Sequence, residues 1–278
     1  MAVTAGKLNL VFPQWQGSGK RKYLYHGAKM IAGLLEGEPY REVGVSTGGD
    51  IRIEKGIWGH SQIVEQLAHA RKIIEEERPD KIFLIGGDCG TEIAPVSYLN
   101  QRYCGDLAVL WLDAHGDLNA PFTSSSHNFH GMPLRYLLGE ADEALGDLCF
   151  STLRPTQVIL CGVRELDQPE AEFIEKKRIR RLSVGDIEED PWNVARIITA
   201  KGLHNVYFHI DVDVLDSGKC PWGLCPAPDG IGTGALMALL EDVRSKISIA
   251  GISVLELKPE VGMNLEPVRD LIRFGKEI

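Results

Sequence analysis

The pentapeptide Asp113-Ala114-His115-Gly116-Asp117 places two carboxylates and an imidazole at alternate positions, directly after the apolar run Leu-Ala-Val-Leu-Trp-Leu. If the chain stays extended there, period-2 alternation points all three side chains the same way. A second set, His209-Ile210-Asp211-Val212-Asp213, closes the apolar run Val-Tyr-Phe and puts Asp211 and Asp213 on a common side. Carboxylates gathered at the ends of buried strands repel one another unless a cation lies among them. Four carboxylates and an imidazole in two such sets suit two divalent cations, an arrangement used to activate water. Solvated turn acids would explain one cluster alone; two clusters, each after a buried strand, favour metal. A third run, Lys-Ile-Phe-Leu-Ile, enters Gly86-Gly87-Asp88-Cys89-Gly90, where glycines permit a sharp turn and bring Cys89 to the same sheet edge.

Two other motifs fail on inspection. Gly17-Ser18-Gly19-Lys20 has Gln14 where a phosphate loop needs its first glycine and Arg21 where it needs Ser or Thr. Cys220 and Cys225 have no second cysteine or histidine pair to complete a zinc site, so they read as loop thiols.

The elements that must position these groups alternate between β-branched runs and helix-period segments, as in a mostly parallel sheet covered by helices. Strands are expected at Leu8–Phe12, Lys81–Ile85, Leu107–Asp113, Gln157–Cys161, Ile179–Leu182, Asn205–Ile210 and Ile249–Leu255. Most are continuous apolar runs, which implies burial on both faces. Helices are expected over Ser61–Arg78, where Ile63, Leu67, Ala70 and Ile74 form a stripe that Pro79 ends, over Gly234–Ile247 and over Pro267–Lys276. His69 falls off the stripe and is read as a surface residue. The irregular stretches Leu118–Gly131 and Asp216–Gly232 follow strands ending in carboxylates, where α/β sheets build their sites.

The 278 residues suffice for a sizeable core, and the absence of a repeat or linker predicts one domain, 1–278. Thirty Lys and Arg against 39 Asp and Glu give a net charge of −9, so neither nucleic acid nor an anionic membrane is an expected partner. The opening 20 residues lack a signal-peptide pattern and no apolar run approaches the ~18 residues of a membrane span, so cytoplasm is the expected location. Six scattered cysteines in such a chain read as reduced thiols.

Taken together, GGDCG, DAHGD, HNFHGMP, HIDVDVLD and ELKP resemble, in order and spacing, the ureohydrolase family of arginase, agmatinase and formimidoylglutamase, from LVFPQWQGSGKRKYLYHGA to ELKPE. The resemblance implies a three-layer α/β/α fold around a mostly parallel sheet of about eight strands. It also implies two manganese ions per chain, held by Cys89, Asp113, His115, Asp117, Asp211 and Asp213, with Asp113 and Asp211 bridging. Asp117, Glu256 and His130 would be catalytic: Asp117 near the nucleophilic water, Glu256 receiving the guanidinium, and His130 moving a proton. Asn119, Ser126 and Asn128 would hold an α-carboxylate, and Asp167 with Glu170 nearby an α-ammonium. The family's usual residue at position 89 is histidine; a thiolate there adds negative charge and favours softer ions. Cysteine at this position is similar to the hydroxyarginine amidinohydrolase subtype. Ser217 and Lys258 replace a usual proline and asparagine, and Lys219–Pro228 reads unlike arginase. The expected activity is metal-dependent hydrolysis of a small-molecule guanidino substrate, an arginine-like amino acid, releasing urea or hydroxyurea. Agmatine, a guanidino acid or a formimino compound on the same centre is the alternative within enzymes, and a silent subunit that has lost one ion through Cys89 is the alternative outside them. Family relatives imply a homo-oligomer, trimer or hexamer.

Overall fold

A computed structural model describes residues 6–278. Its strands are β1 (Lys7–Phe12), β2 (Arg41–Glu42), β3 (Ile53–Glu54), β4 (Ile57–Trp58), β5 (Lys81–Gly86), β6 (Ala108–Leu112), β7 (Val158–Cys161), β8 (Arg180–Leu182), β9 (Asn205–Ile210) and β10 (Ser248–Val254). Eight form one sheet in the order β2-β1-β5-β10-β9-β6-β7-β8, and every neighbouring pair is parallel. The antiparallel ribbon β3–β4 stands apart. All seven expected strands are present. The eighth sheet strand, β2, is a two-residue exposed edge.

The continuous apolar runs arise because both faces are covered. Along β5, Phe83 and Ile85 enter one core while Ile82 and Leu84 enter the other. The first core is closed by helices Tyr23–Ala32, Asn193–Ala200, Thr233–Lys246 and Glu266–Lys276. The second is closed by His60–Glu77, Ile93–Arg102 and Gln168–Lys177. The result is the three-layer α/β/α architecture. In His60–Glu77 the buried side chains include Ile63, Leu67, Ala70 and Ile74; Arg78 then takes a left-handed conformation and Pro79 ends the helix. His69 is exposed, and its Nδ1 accepts a hydrogen bond from the Gly44 amide.

Strands β5, β10, β9 and β6 are adjacent at the middle of the sheet, and their carboxyl ends stay zipped beyond the regular ladders. The Asp113 amide donates to Cys161, the Asp211 amide to Leu112, the Leu255 amide to Ile210 and the Glu256 amide to Gly87. Candidate site residues far apart in sequence thus leave the sheet side by side.

Candidate active site

At that edge a cavity of about 290 Å³ is lined by Cys89, His115, Asp117, Asp211, Asp213 and Glu256 at one end, with Asn119, Ser126, His130, Asp167 and Glu170 among its other walls. Asp113 lies fully buried beside them. Three sets of donor atoms each fall within 4.8 Å: Cys89, Asp113, Asp117 and His209; Cys89, Asp211 and Glu256; and Asp113, His115 and Asp213. All six expected ligands therefore converge.

They do not converge by alternation. After β6 the chain bends, and Asp117 has φ +52°, so the extended backbone expected for Asp113–Asp117 is replaced by a turn. Likewise Val212–Val214 is a 3-10 turn capped by the Asp211 carboxylate, which accepts from the Asp213 amide at 2.8 Å. Each turn uses one carboxylate oxygen to fasten backbone: Asp113 Oδ1 accepts from the His115 amide at 2.7 Å and Asp213 Oδ1 from the Ala114 amide at 3.1 Å. The His115 ring is 3.1 Å from Asp213 Oδ2. Cys89 opens the 3-10 turn Cys89–Glu92, and its thiol is 3.5 Å from Asp211 Oδ2. Gly87 must be glycine, because a Cβ there would lie 1.8 Å from the Gln14 carbonyl oxygen.

The electrostatics are those of a cation site. Burial, and then the Asp113 charge, push Asp117 well above the carboxylate range; burial and Asp213 do the same to Asp211. Asp213 is pushed up to about 6 by burial and Asp113. Burial would also raise Asp113, but the His115 and His209 rings beside it hold it below its usual value. Burial and the neighbouring carboxylates raise the Cys89 thiol. Asp117 Oδ2 is buried with no hydrogen-bond partner. An orphaned carboxylate oxygen amid four other buried acids and a thiol is what a pair of divalent cations would satisfy, so the donor set fits them.

Glu256 is buried with φ +62°, and its Oε1 accepts from the Cys89 amide at 3.1 Å and lies 3.1 Å from His130 Nδ1. Burial opposes charging of His130, but the Glu256 charge and hydrogen bond outweigh it and raise the imidazole's pKa. Asn119 Nδ2 donates to Asp167 Oδ2 at 2.9 Å. Glu170 accepts from the Leu118 and Asp167 amides at 2.9 and 3.0 Å, which makes it the brace between their two loops. Ser126 Oγ accepts from the Asn128 amide at 3.2 Å. Asn128 itself is not among the cavity-lining residues: its Oδ1 points at Gly19, where an added Cβ would come within 2.8 Å.

Four groups escaped the sequence reading. Cys225 lines the cavity, from a loop tied to Glu256 by the Leu224 amide. Asp88 is fully buried and accepts from the Gly17 and Gly90 amides, each at 2.9 Å. His209 and Glu92 lie behind the cluster, joined at 2.8 Å. His209 was visible as the first residue of His-Ile-Asp-Val-Asp; Glu92 carried no signal beyond lying three residues after Cys89. All six cysteines are free.

Comparison with known proteins agrees with this geometry. The profile of the arginase family matches residues 22–266. An arginase of Staphylococcus aureus is 29% identical over 259 residues, covering 84% of this chain and 83% of its own. The structure of Entamoeba histolytica arginase in complex with L-ornithine superposes with a TM-score of 0.86 at 20% identity, over 100% of both chains. Bacillus subtilis formimidoylglutamase superposes with a TM-score of 0.74 at 18% identity, over 98% of this chain and 86% of its own.

Proposed function

Because the chain belongs to the arginase family, whose members are metal-dependent hydrolases of guanidino C–N bonds, we propose that it acts on an L-α-amino acid with a guanidino or N-hydroxyguanidino tail and releases urea or hydroxyurea. The observation that carries this choice is the polarity of the cavity. Its wall offers Asn119 joined to Asp167, a neutral amide beside an anion. At the cluster end stands the buried Glu256 carboxylate. A zwitterion with a distal cation is complementary to that order of charges.

Cys89, Asp113, Asp117 and Asp211 would hold one manganese ion, and Asp113, His115, Asp211 and Asp213 the other. When bound, the pair supplies Lewis-acid charge and a water nucleophile usable at neutral pH. Glu256 receives the planar guanidinium, for which a carboxylate is the matching acceptor, and fixes the amidino carbon over the cluster. Asp117, on the cluster side of the cavity, accepts a hydrogen bond from the attacking water. His130, whose Nδ1 faces Glu256, delivers a proton to the departing amine. Asn119 and Ser126 meet the α-carboxylate, with Asn128 supporting Ser126 from outside the cavity. Asp167 meets the α-ammonium, and Glu170 keeps both loops in place.

The test is catalytic efficiency on arginine, hydroxyarginine and agmatine. Agmatine lacks the carboxylate, and a polar group left unpaired costs roughly 1–3 kcal/mol, so an amino acid should be preferred by more than about tenfold. Agmatine turning over fastest would overturn the assignment and place the enzyme with decarboxylated substrates.

A further inference from the structure

His209 takes no part in the chemistry above, yet its side chain is held from several directions. It is fully buried on β9. Strand register pairs it with Trp111 of β6, and the imidazole lies flat on the indole, with centroids 3.5 Å apart and planes 11° from parallel. Its Nδ1 is 2.8 Å from Glu92 Oε1. Glu92, also fully buried, accepts from the Tyr207 hydroxyl at 2.7 Å and from the Ser253 hydroxyl. Hydroxyls on β9 and β10 and the imidazole itself thus converge on one carboxylate, which keeps it as an acceptor. An acceptor at Nδ1 fixes the proton there and leaves the Nε2 lone pair on the opposite side of the ring.

That side faces the cluster. Nε2 is 3.4 Å from Asp113 Oδ2 and 3.9 Å from Cys89 Sγ, and one donor atom from each of Cys89, Asp113, Asp117 and His209 falls within 4.8 Å of the others. Donors at about 2.0–2.1 Å for nitrogen and oxygen and about 2.3 Å for sulfur give tetrahedral edges of roughly 3.4 Å between nitrogen and oxygen and roughly 3.6 Å between nitrogen and sulfur. The observed edges match the first and lie slightly outside the second. An Nε2–H donating to Asp113 would instead require a buried imidazolium between two carboxylates, at a hydrogen-bond distance longer than usual.

We infer that His209 is a nitrogen ligand of the ion held by Cys89, Asp113 and Asp117, with Glu92 as the carboxylate that orients it. The inference rests on reading the cavity as a two-metal site. It assigns that ion a mixed thiolate, imidazole and carboxylate shell, which suits borderline-soft ions such as zinc, cobalt or iron(II) better than the Asp113, His115 and Asp213 set does.

The experiment is pulsed electron paramagnetic resonance on manganese-loaded full-length protein containing 15N-histidine, with metal content measured on the same samples. Wild type should show two directly coordinated imidazoles, from His115 and His209, and His209→Asn one. Calorimetric titration with manganese should find one ion weakened at least about tenfold in His209→Asn, and about 10- to 100-fold in Glu92→Gln, which leaves the imidazole in place. One coordinated imidazole in wild type with two ions bound overturns the inference and leaves the two-metal reading intact. No bound ion under saturating manganese overturns both. The wild-type spectrum decides the matter even if the variants do not fold.

Discussion

Metal binding should reverse the pH dependence of this protein's stability, and the structure supplies the size of the effect. Two fully buried carboxylates put a lower bound on the metal-free slope, and Asp117 and Asp211, also raised, act in the same direction. Asp213 is pushed up to about 6 by burial and by Asp113, and Asp88 to about 7 by burial and by Glu256. Both groups have an ordinary value of 3.8, so between pH 4 and 7 the folded state carries protons that the unfolded state has released. Stability then falls as pH rises, because the slope follows protons bound by the unfolded state minus those bound by the folded state. At about 1.4 kcal/mol per unit, the loss is roughly 3 kcal/mol for Asp213, complete above pH 6, and roughly 4 kcal/mol for Asp88, complete above pH 7. The sum rivals the whole net stability of an ordinary protein, so the metal-free form should be marginal at pH 7.5. Ions must displace the Asp213 proton to bind, so their affinity rises with pH. With each of two sites at a hundred times its Kd, manganese adds about 5 kcal/mol, and at about 2.1 cal/mol/K per residue over 278 residues that raises Tm by about 9 °C. Calorimetric scans of chelated and manganese-loaded protein at pH 5.5 and 8 should show a larger metal-induced rise at pH 8. An equal rise at both values, or metal-free stability that climbs from pH 5 to 7, would refute the reasoning.

Asp113→Ala should lose both ions, because Asp113 shares donor sets with Cys89 and Asp117 and with His115 and Asp213; Asp211→Ala should do the same on the bridging role that the family resemblance implies for it, whereas Asp213→Ala should retain one, and elemental analysis after reconstitution separates these outcomes. The Cys89 thiol should be alkylated slowly in the manganese-loaded protein and quickly after chelation, and equal rates would remove it from the ligand set. Asn119→Ala should erode the preference for amino acids over agmatine more than Asn128→Ala does, because the Asn119 side chain lines the cavity whereas Asn128 reaches Ser126 only through its backbone amide, which alanine keeps.

The seven strands were legible because both faces of the sheet are covered, and burial on both sides writes a continuous apolar run such as Lys81–Ile85 into the chain. Strand β2 was not, since Arg41 and Glu42 are exposed and carry no periodicity. The six metal-capable residues were legible as types, and family resemblance brought them into one set; their convergence was ascribed to the wrong backbone geometry. Extended alternation would have spread Asp113, His115 and Asp117 along an edge; in the turn that includes the left-handed Asp117, Asp113 instead sits between two donor sets, one with Asp117 and one with His115. The pairing of Glu92 with His209 was illegible for another reason. Nothing local to either residue specifies the other, and they meet only because the Cys89–Glu92 turn leaves β5 and packs over the ends of β10 and β9.

The candidate ligands and Glu256 leave four adjacent strands that are spread along the chain from Cys89 to Glu256. A site distributed in this way has a bearing on kinetics. No short segment of the unfolded chain presents the full donor set, so the complete centre can form only after β5, β6 and β9 have been brought together. Contacts made that late are absent from the folding transition state, and stabilising them leaves the rate of folding nearly unchanged. Bound ions would then act almost wholly on the return journey: they would have to be released before the middle of the sheet could part, so the folded protein should unfold more slowly with manganese than after chelation.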